Sequence, residues 1–140
     1  MKRILGLDVG TRRIGVALSD ALGMTAQRLT LIERRSPAQD LEAIASLVSA
    51  HEVGTVVVGL PLTMKGEMGD QATLVMAFVE NLRSHLSCSV ETVDERLTTV
   101  EGERALLRMD ASRQTRKRLI DQVAAQLILQ TYLNGKTPTA

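Results

Sequence analysis

The run Thr55–Gly59, "TVVVG", constrains the fold more than any other segment. Three consecutive valines leave no polar face, so a strand made of them must be covered on both sides, as in a parallel sheet. Its flanks have helical spacing. Before it, Ser36 can cap a helix, Pro37 suits the first helical position, Gln39 completes a capping box, and Leu41, Ile44, Ala45 and Val48 form an apolar stripe. After it comes the breaker-rich loop "LPLTMKGEMGD", then a helix starting near Asp70 with Leu74, Val75, Phe78 and Leu82 facing inward.

The N-terminal third reads differently. Ile4 to Val9, Ile14 to Leu18 and Gln27 to Glu33 are short strands joined by turns at Gly10–Arg13 and around Gly23. Ser89 to Asp94 is a fifth strand. Thr98 and Glu101 open a further helix that exits between Arg108 and Gln114, and a last helix runs from about Thr115 to Leu133. The order β-β-β-α-β-α-β-α-α predicts an α/β protein with one five-stranded mixed sheet, three antiparallel strands first, and helices on both faces. At 140 residues the chain fits one domain, residues 1–140, with 134–140 as a flexible tail.

Composition narrows the chemistry. Phe78 and Tyr132 are the only aromatics, which argues against aromatic stacking as the main grip on single-stranded bases. Cys88 is the sole cysteine, so an internal disulfide and a thiolate metal cluster are both excluded. His51 and His85 are too sparse for a zinc site and suit helix ends. The start "MKRILGL" has too short an apolar stretch for a signal peptide, and no run reaches membrane-spanning length. A cytoplasmic protein with no membrane partner is expected. Seventeen basic against sixteen acidic residues say nothing for nucleic acid, so that case rests on distribution.

The acids are placed unevenly. Asp8 closes the first predicted strand, and Asp94 and Glu95 close the fifth. Ligand sites of open α/β sheets lie beyond the carboxyl ends of strands, which sends all three to one rim. Asp121, in "RKRLIDQVAAQLILQTYL", falls in the apolar arc of the last helix with Ala124, Ala125 and Ile128. An unpaired carboxylate there is costly, so it either pairs with an Arg or reaches the same cleft. Carboxylates gathered at one rim repel, and a divalent cation removes the conflict; oxygen donors without sulfur point to Mg²⁺ or Mn²⁺. Two such ions about 4 Å apart suit phosphodiester hydrolysis. Arg104, Arg108, Arg113, Arg116, Lys117 and Arg118 precede Asp121, and with Arg12, Arg13 and Arg96 they make a basic rim suited to backbone phosphates.

Four blocks in this order, "GLDVGTRRIGVALSD", "VVVGLPLTMKGEMG", "VDERLTTVEGER" and "RKRLIDQVAAQLILQTYL", resemble the bacterial pre-16S rRNA nuclease family, whose members are also described as Holliday junction resolvases. The resemblance spans nearly the whole chain. It implies a ribonuclease H-like fold, matching the reading above, and an acidic metal site at Asp8, Glu95 and Asp121, with Asp94 as a supporting residue. It implies trimming of the 5′ end of the 16S rRNA precursor, with ribosomal precursor particles as further partners. The family commonly has Asn where this chain has Thr63, and often an acid where it has Lys65; neither position is a metal ligand. A resolvase cutting four-way DNA is the alternative substrate reading, and would work as a homodimer where an RNA nuclease needs only a monomer. A non-catalytic RNA- or protein-binding module is the alternative without chemistry. Actin-like ATPases and sugar kinases share an Asp-x-Gly-Thr turn but need two such domains.

Overall fold

The computed structural model describes residues 2–97 and 113–135, with side chains described for 2–96 and 122–135. Strands β1 (Arg3–Val9), β2 (Arg13–Ser19) and β3 (Ala26–Glu33) come first. Helix α1 (Pro37–Ala50), β4 (Val53–Leu60), α2 (Asp70–His85) and β5 (Ser89–Asp94) follow, then a 3₁₀ turn at Glu95–Leu97 and helix α3 (Arg113–Gly135). The helix expected after Thr98 lies outside the described residues, as do Arg104 and Arg108. The last helix starts two residues before the expected Thr115 and continues through Asn134 and Gly135.

The five strands form one mixed sheet in the order β3-β2-β1-β4-β5. β1 pairs antiparallel with β2, and β2 with β3; β4 lies parallel between β1 and β5. The three parallel strands therefore end on one rim. Alternation along each strand sorts side chains to two faces. Leu5, Leu7, Val9, Ile14, Val16, Val56 and Val58 meet Ile44 of α1 and Val75, Phe78, Val79 and Leu82 of α2. Each fully buried aliphatic side chain contributes about 1.5–3 kcal/mol of transfer free energy, so this face carries most of the stability. The opposite face is lined by small residues: Ala17 and Ala26 pack against Ala125, Leu129 and Leu133 of α3.

The helix starts obey the local rules. Ser36 caps α1 by accepting the Gln39 N–H at 3.2 Å, with Pro37 in the first turn. Gln39 completes the box differently from the usual form, because its Oε1 accepts from the Ser36 hydroxyl at 3.2 Å.

α3 lies unusually close to the sheet because Gly6 faces it. A Cβ on Gly6 would stand 2.7 Å from Leu129 Cβ and 3.1 Å from the Ala125 carbonyl. At Gly59 on β4 a Cβ would run into Ile128 Cδ1. Amide side chains set the direction of α3. Gln130 accepts the Ala26 N–H at 3.0 Å and donates to the Met24 carbonyl at 3.1 Å, while Gln126 donates to the Ala26 carbonyl at 3.0 Å. Ala26 pairs with Ser19, whose buried hydroxyl accepts the Ile4 N–H at 2.9 Å. The carboxyl half of α3 is thus fastened near the start of β1, and α3 runs opposite to β1. Among the described residues no helix is long and apolar enough to cross a membrane.

Candidate active site

Asp8 and Glu95 arrive at the shared rim from two different strands. Leu7 pairs with Val58 and Gly59 with Val93, so Asp8 lies level with Gly59, and Glu95 follows the end of β5 directly. Gly59 stands between them in the sheet and has no side chain to fill the gap. Ile128 of α3 fills the space left by Gly59, and the Glu95 carboxyl carbon would lie 3.7 Å from a Cβ there, at ordinary van der Waals contact. The Asp8 and Glu95 side chains are hydrogen bonded to each other. Withdrawal from water pushes the Glu95 carboxyl above the ordinary Glu range, and its bond with Asp8 acts in the opposite direction. Two ionised carboxylates brought together repel each other, and a proton or a cation between them relieves the repulsion.

Asp94 faces a different partner. Its carboxylate receives Arg96 Nη2 at 2.6 Å, Arg96 Nε at 3.0 Å and the Arg96 backbone N–H at 3.0 Å. The Arg96 guanidinium holds the Asp94 carboxyl below the ordinary Asp range, and Asp94 raises Arg96 in return. Arg96 also donates to the Met64 carbonyl at 3.3 Å, and its guanidinium lies against Gly66, whose φ is +82°. The Asp94–Arg96 pair is therefore a latch on the β4–α2 loop. Inside that loop the Thr63 hydroxyl accepts the Glu67 N–H at 3.1 Å, and the Thr63 carbonyl accepts from Gly66 at 2.8 Å.

The remaining expected site residues separate by environment. Arg12 is exposed in the turn after β1. Arg13 is ion-paired with Glu33 at 3.3 Å across the β2–β3 ladder. Arg113, Arg116, Lys117 and Arg118 occupy the first two turns of α3, and Asp121 stands one turn before Ala125; these five are described by their backbone alone. Among the described residues, no three carboxylate, imidazole or thiol groups gather closely enough to hold an ion. Cys88 is half-buried, and burial raises its thiol above the usual range.

Two features escaped the sequence reading. One is Gly59, which looked only like the end of a strand. The other is an ion pair between half-buried Arg34 and buried Asp40, at 3.1 Å, behind the Gly10–Arg13 turn. Nothing in the spacing of Arg34 and Asp40 marks them out, although an acid in the first turn of α1 was visible.

Comparison with known proteins gives the family and the fold. A family model described as "RuvX: Holliday junction resolvase" matches residues 2–135. A Clostridium botulinum protein provisionally named pre-16S rRNA nuclease is 50% identical over 133 residues, covering 95% of this chain and 97% of its own. A Moorella thermoacetica protein of the same name is 54% identical over 132 residues, covering 94% of each chain. The solved structure of Thermus thermophilus RuvC in complex with a Holliday junction substrate aligns with a TM-score of 0.63 over 100% of this chain and 98% of that one, at 12% identity. That likeness establishes the ribonuclease H-like fold that the family resemblance implied and that the strand order fits. With the family match running across nearly its whole length, the chain belongs to the RuvX family.

Proposed function

We propose that the protein is a divalent-metal-dependent nuclease that hydrolyses phosphodiester bonds at the 5′ end of the 16S rRNA precursor. The observation that carries this reading is the Asp8–Glu95 pair, two carboxyl groups in contact on a strand rim with Glu95 withdrawn from water. The donor set suits Mg²⁺ or Mn²⁺, because it offers carboxylate oxygen and neither sulfur nor imidazole. Asp121 is the third ligand in this reading. Gly6 lies against Ala125, and from there β1 advances about 6.6 Å to Asp8 while α3, running the other way, returns about 6 Å to Asp121. The two backbone positions are then level across the gap between sheet and helix. When bound, a pair of such ions would supply an activated water and stabilise the leaving oxygen.

The chain's own groups divide the remaining work. Asp8, on a central strand, is held rigidly; Glu95 closes the site from β5; Arg12 and the basic run opening α3 hold backbone phosphates. Asp94 and Arg96 keep the β4–α2 loop in place beside the cleft. The RNA substrate is supported by the names of relatives about half identical to this chain. The four-way DNA junction is supported by the family description. The protein is expected to act in the cytoplasm, on precursor particles or their RNA, as a monomer on RNA and as a homodimer on a junction.

The test compares purified protein on precursor 16S rRNA and on a four-way DNA junction, with Mg²⁺ and with Mn²⁺, at one ionic strength. Faster cleavage of the RNA is expected, abolished by EDTA. Asp8→Asn, Glu95→Gln and Asp121→Asn are each expected to lower hydrolysis by about 10²–10³-fold, on the scale of losing a group acting directly on the transition state, while remaining folded. Full cleavage by all three would remove the site assignment. Symmetric paired incisions far outpacing RNA cleavage would replace the ribosomal reading with the resolvase one.

A further inference from the structure

The Gly10–Arg13 turn begins two residues beyond Asp8 and is held far more firmly than a hairpin requires. Its own closure is the Gly10 N–H to the Arg13 carbonyl, at 2.9 Å. Arg34, from the β3–α1 connection, then grips two of its other three carbonyls. The Arg34 backbone N–H donates to the Arg12 carbonyl at 2.8 Å, and Nη1 donates to the Gly10 carbonyl at 2.9 Å. The guanidinium is anchored behind. Nε donates to Asp40 Oδ2 at 3.1 Å, and the guanidinium carbon is 5.3 Å from the centroid of the Phe78 ring. Asp40 is 3% exposed, and its second oxygen accepts the Arg35 N–H at 3.0 Å.

Burying a carboxylate to pair it with a half-buried guanidinium is a poor way to add stability, since desolvating the carboxylate costs several kcal/mol and apolar packing would serve as well. What the pair gives here is direction. The planar fork of Arg34 reaches Asp40 and Gly10 at once, which the single ammonium of a lysine cannot do. A small cleft lined by Gly10, Thr11, Arg34, Gln71 and Leu74 lies beside the turn, so the turn has room to shift once the fork is lost. Thr11 and Arg12, both exposed, ride on that turn, three and four residues after Asp8.

We propose that Arg34, braced by Asp40, is a positioning residue that fixes the Gly10–Arg13 turn so that Arg12 meets a backbone phosphate of the nucleic acid. The proposal rests on the nuclease reading for its substrate. It assigns Arg34 to substrate binding and not to the chemical step, because its bonds go to the turn.

The test uses Arg34→Lys and Asp40→Asn in the full chain. Loss of a charge-assisted hydrogen bond is expected to raise KM for the RNA about tenfold, with kcat within about twofold of wild type. Amide exchange should accelerate at Gly10 and remain unchanged at Leu5 and Leu7. In an Arg12→Gln background, Arg34→Lys should add little, since it acts through Arg12. An unchanged KM, a fall in kcat alone, exchange raised evenly through β1, or additive effects of Arg12→Gln and Arg34→Lys would each overturn the proposal. Should Arg34→Lys fail to fold, the near-isosteric Asp40→Asn carries the same measurements. Absence of cleavage by wild type would refute the nuclease reading. Anisotropy with a short fluorescent RNA in EDTA then decides separately, with about tenfold weaker binding by Arg34→Lys expected and equal binding overturning the role of Arg34.

Discussion

One methyl group on Gly6 should prise the two halves of the site apart. In Gly6→Ala the new Cβ would meet Leu129 Cβ at 2.7 Å and the Ala125 carbonyl oxygen at 3.1 Å. Neither neighbour can swing away, because one is fixed to the α3 backbone and the other belongs to it. Comfortable carbon contacts lie near 3.5–4.0 Å, so α3 must lift by about 1 Å. Gly6 does not have a positive φ, so the cost is steric and not conformational. Overpacking of this size costs about 1–3 kcal/mol, offset by about 0.4–1 kcal/mol from the stiffer unfolded chain. A net loss near 1–2 kcal/mol corresponds to a fall of about 3–8 °C in Tm. Activity should suffer more, because a displacement of about 1 Å in a reacting group is worth about 10²-fold in rate. Gly59→Ala probes the same helix at a second point: its obstacles are Ile128 Cδ1 and, at 3.0 Å, Cγ1, in a fully buried β-branched side chain, so it too should lose stability. Urea denaturation of the metal-free proteins and single-turnover cleavage at saturating metal supply both numbers. If Gly6→Ala were as stable and as active as wild type, α3 would not be seated at this distance and the geometry linking Asp121 to Asp8 would fail.

Two further outcomes are expected. Asp20 accepts the N–H groups of Met24 at 2.7 Å and Thr25 at 3.2 Å, which lowers its carboxyl below the ordinary value of 3.8. Its folded pKa lies below its unfolded one, so its contribution is present above the unfolded value and disappears as pH falls through the folded value; an NMR titration midpoint at or above 3.8 would contradict the bonding. Replacing Arg113, Arg116 and Arg118 together with neutral residues should weaken binding to unrelated sequences by similar factors and lower the slope of log affinity against log salt by up to about 2–3; an unchanged slope would put the phosphate contacts elsewhere.

The sheet was legible because periodicity reports which faces are covered. Alternating strands in the first third and the valine run of β4 separate an antiparallel half from a parallel half, and that alone orders the carboxyl ends. Strand ends and the parallel rim sent Asp8, Asp94 and Glu95 to one place, and only the family resemblance singled out Glu95. Asp94 looks equivalent to Glu95 in the sequence, yet the structure gives it a separate partner. A strand sends adjacent side chains opposite ways, and Arg96, two residues on, captures Asp94 while Glu95 turns toward Asp8. The Arg34–Asp40 pair was not legible for another reason. Its meaning depends on which loop lies over α1, and that is decided by packing between segments and not by local spacing. Gly6 and Gly59 belong to the same class, since an absent side chain is informative only once its neighbour is known.

α3 behaves as a lever whose fulcrum lies far from the chemistry. The Gln126 and Gln130 amides fasten it beside Ala26, on the rim opposite the carboxylates. From the middle of that attachment to Asp121 the helix extends about 10 Å, so a tilt of 5° at the pivot moves the tip by about 1 Å. Surface amides on the distant rim thus govern the alignment of the proposed third ligand, and a substitution there can disturb hydrolysis without touching any group that meets the substrate.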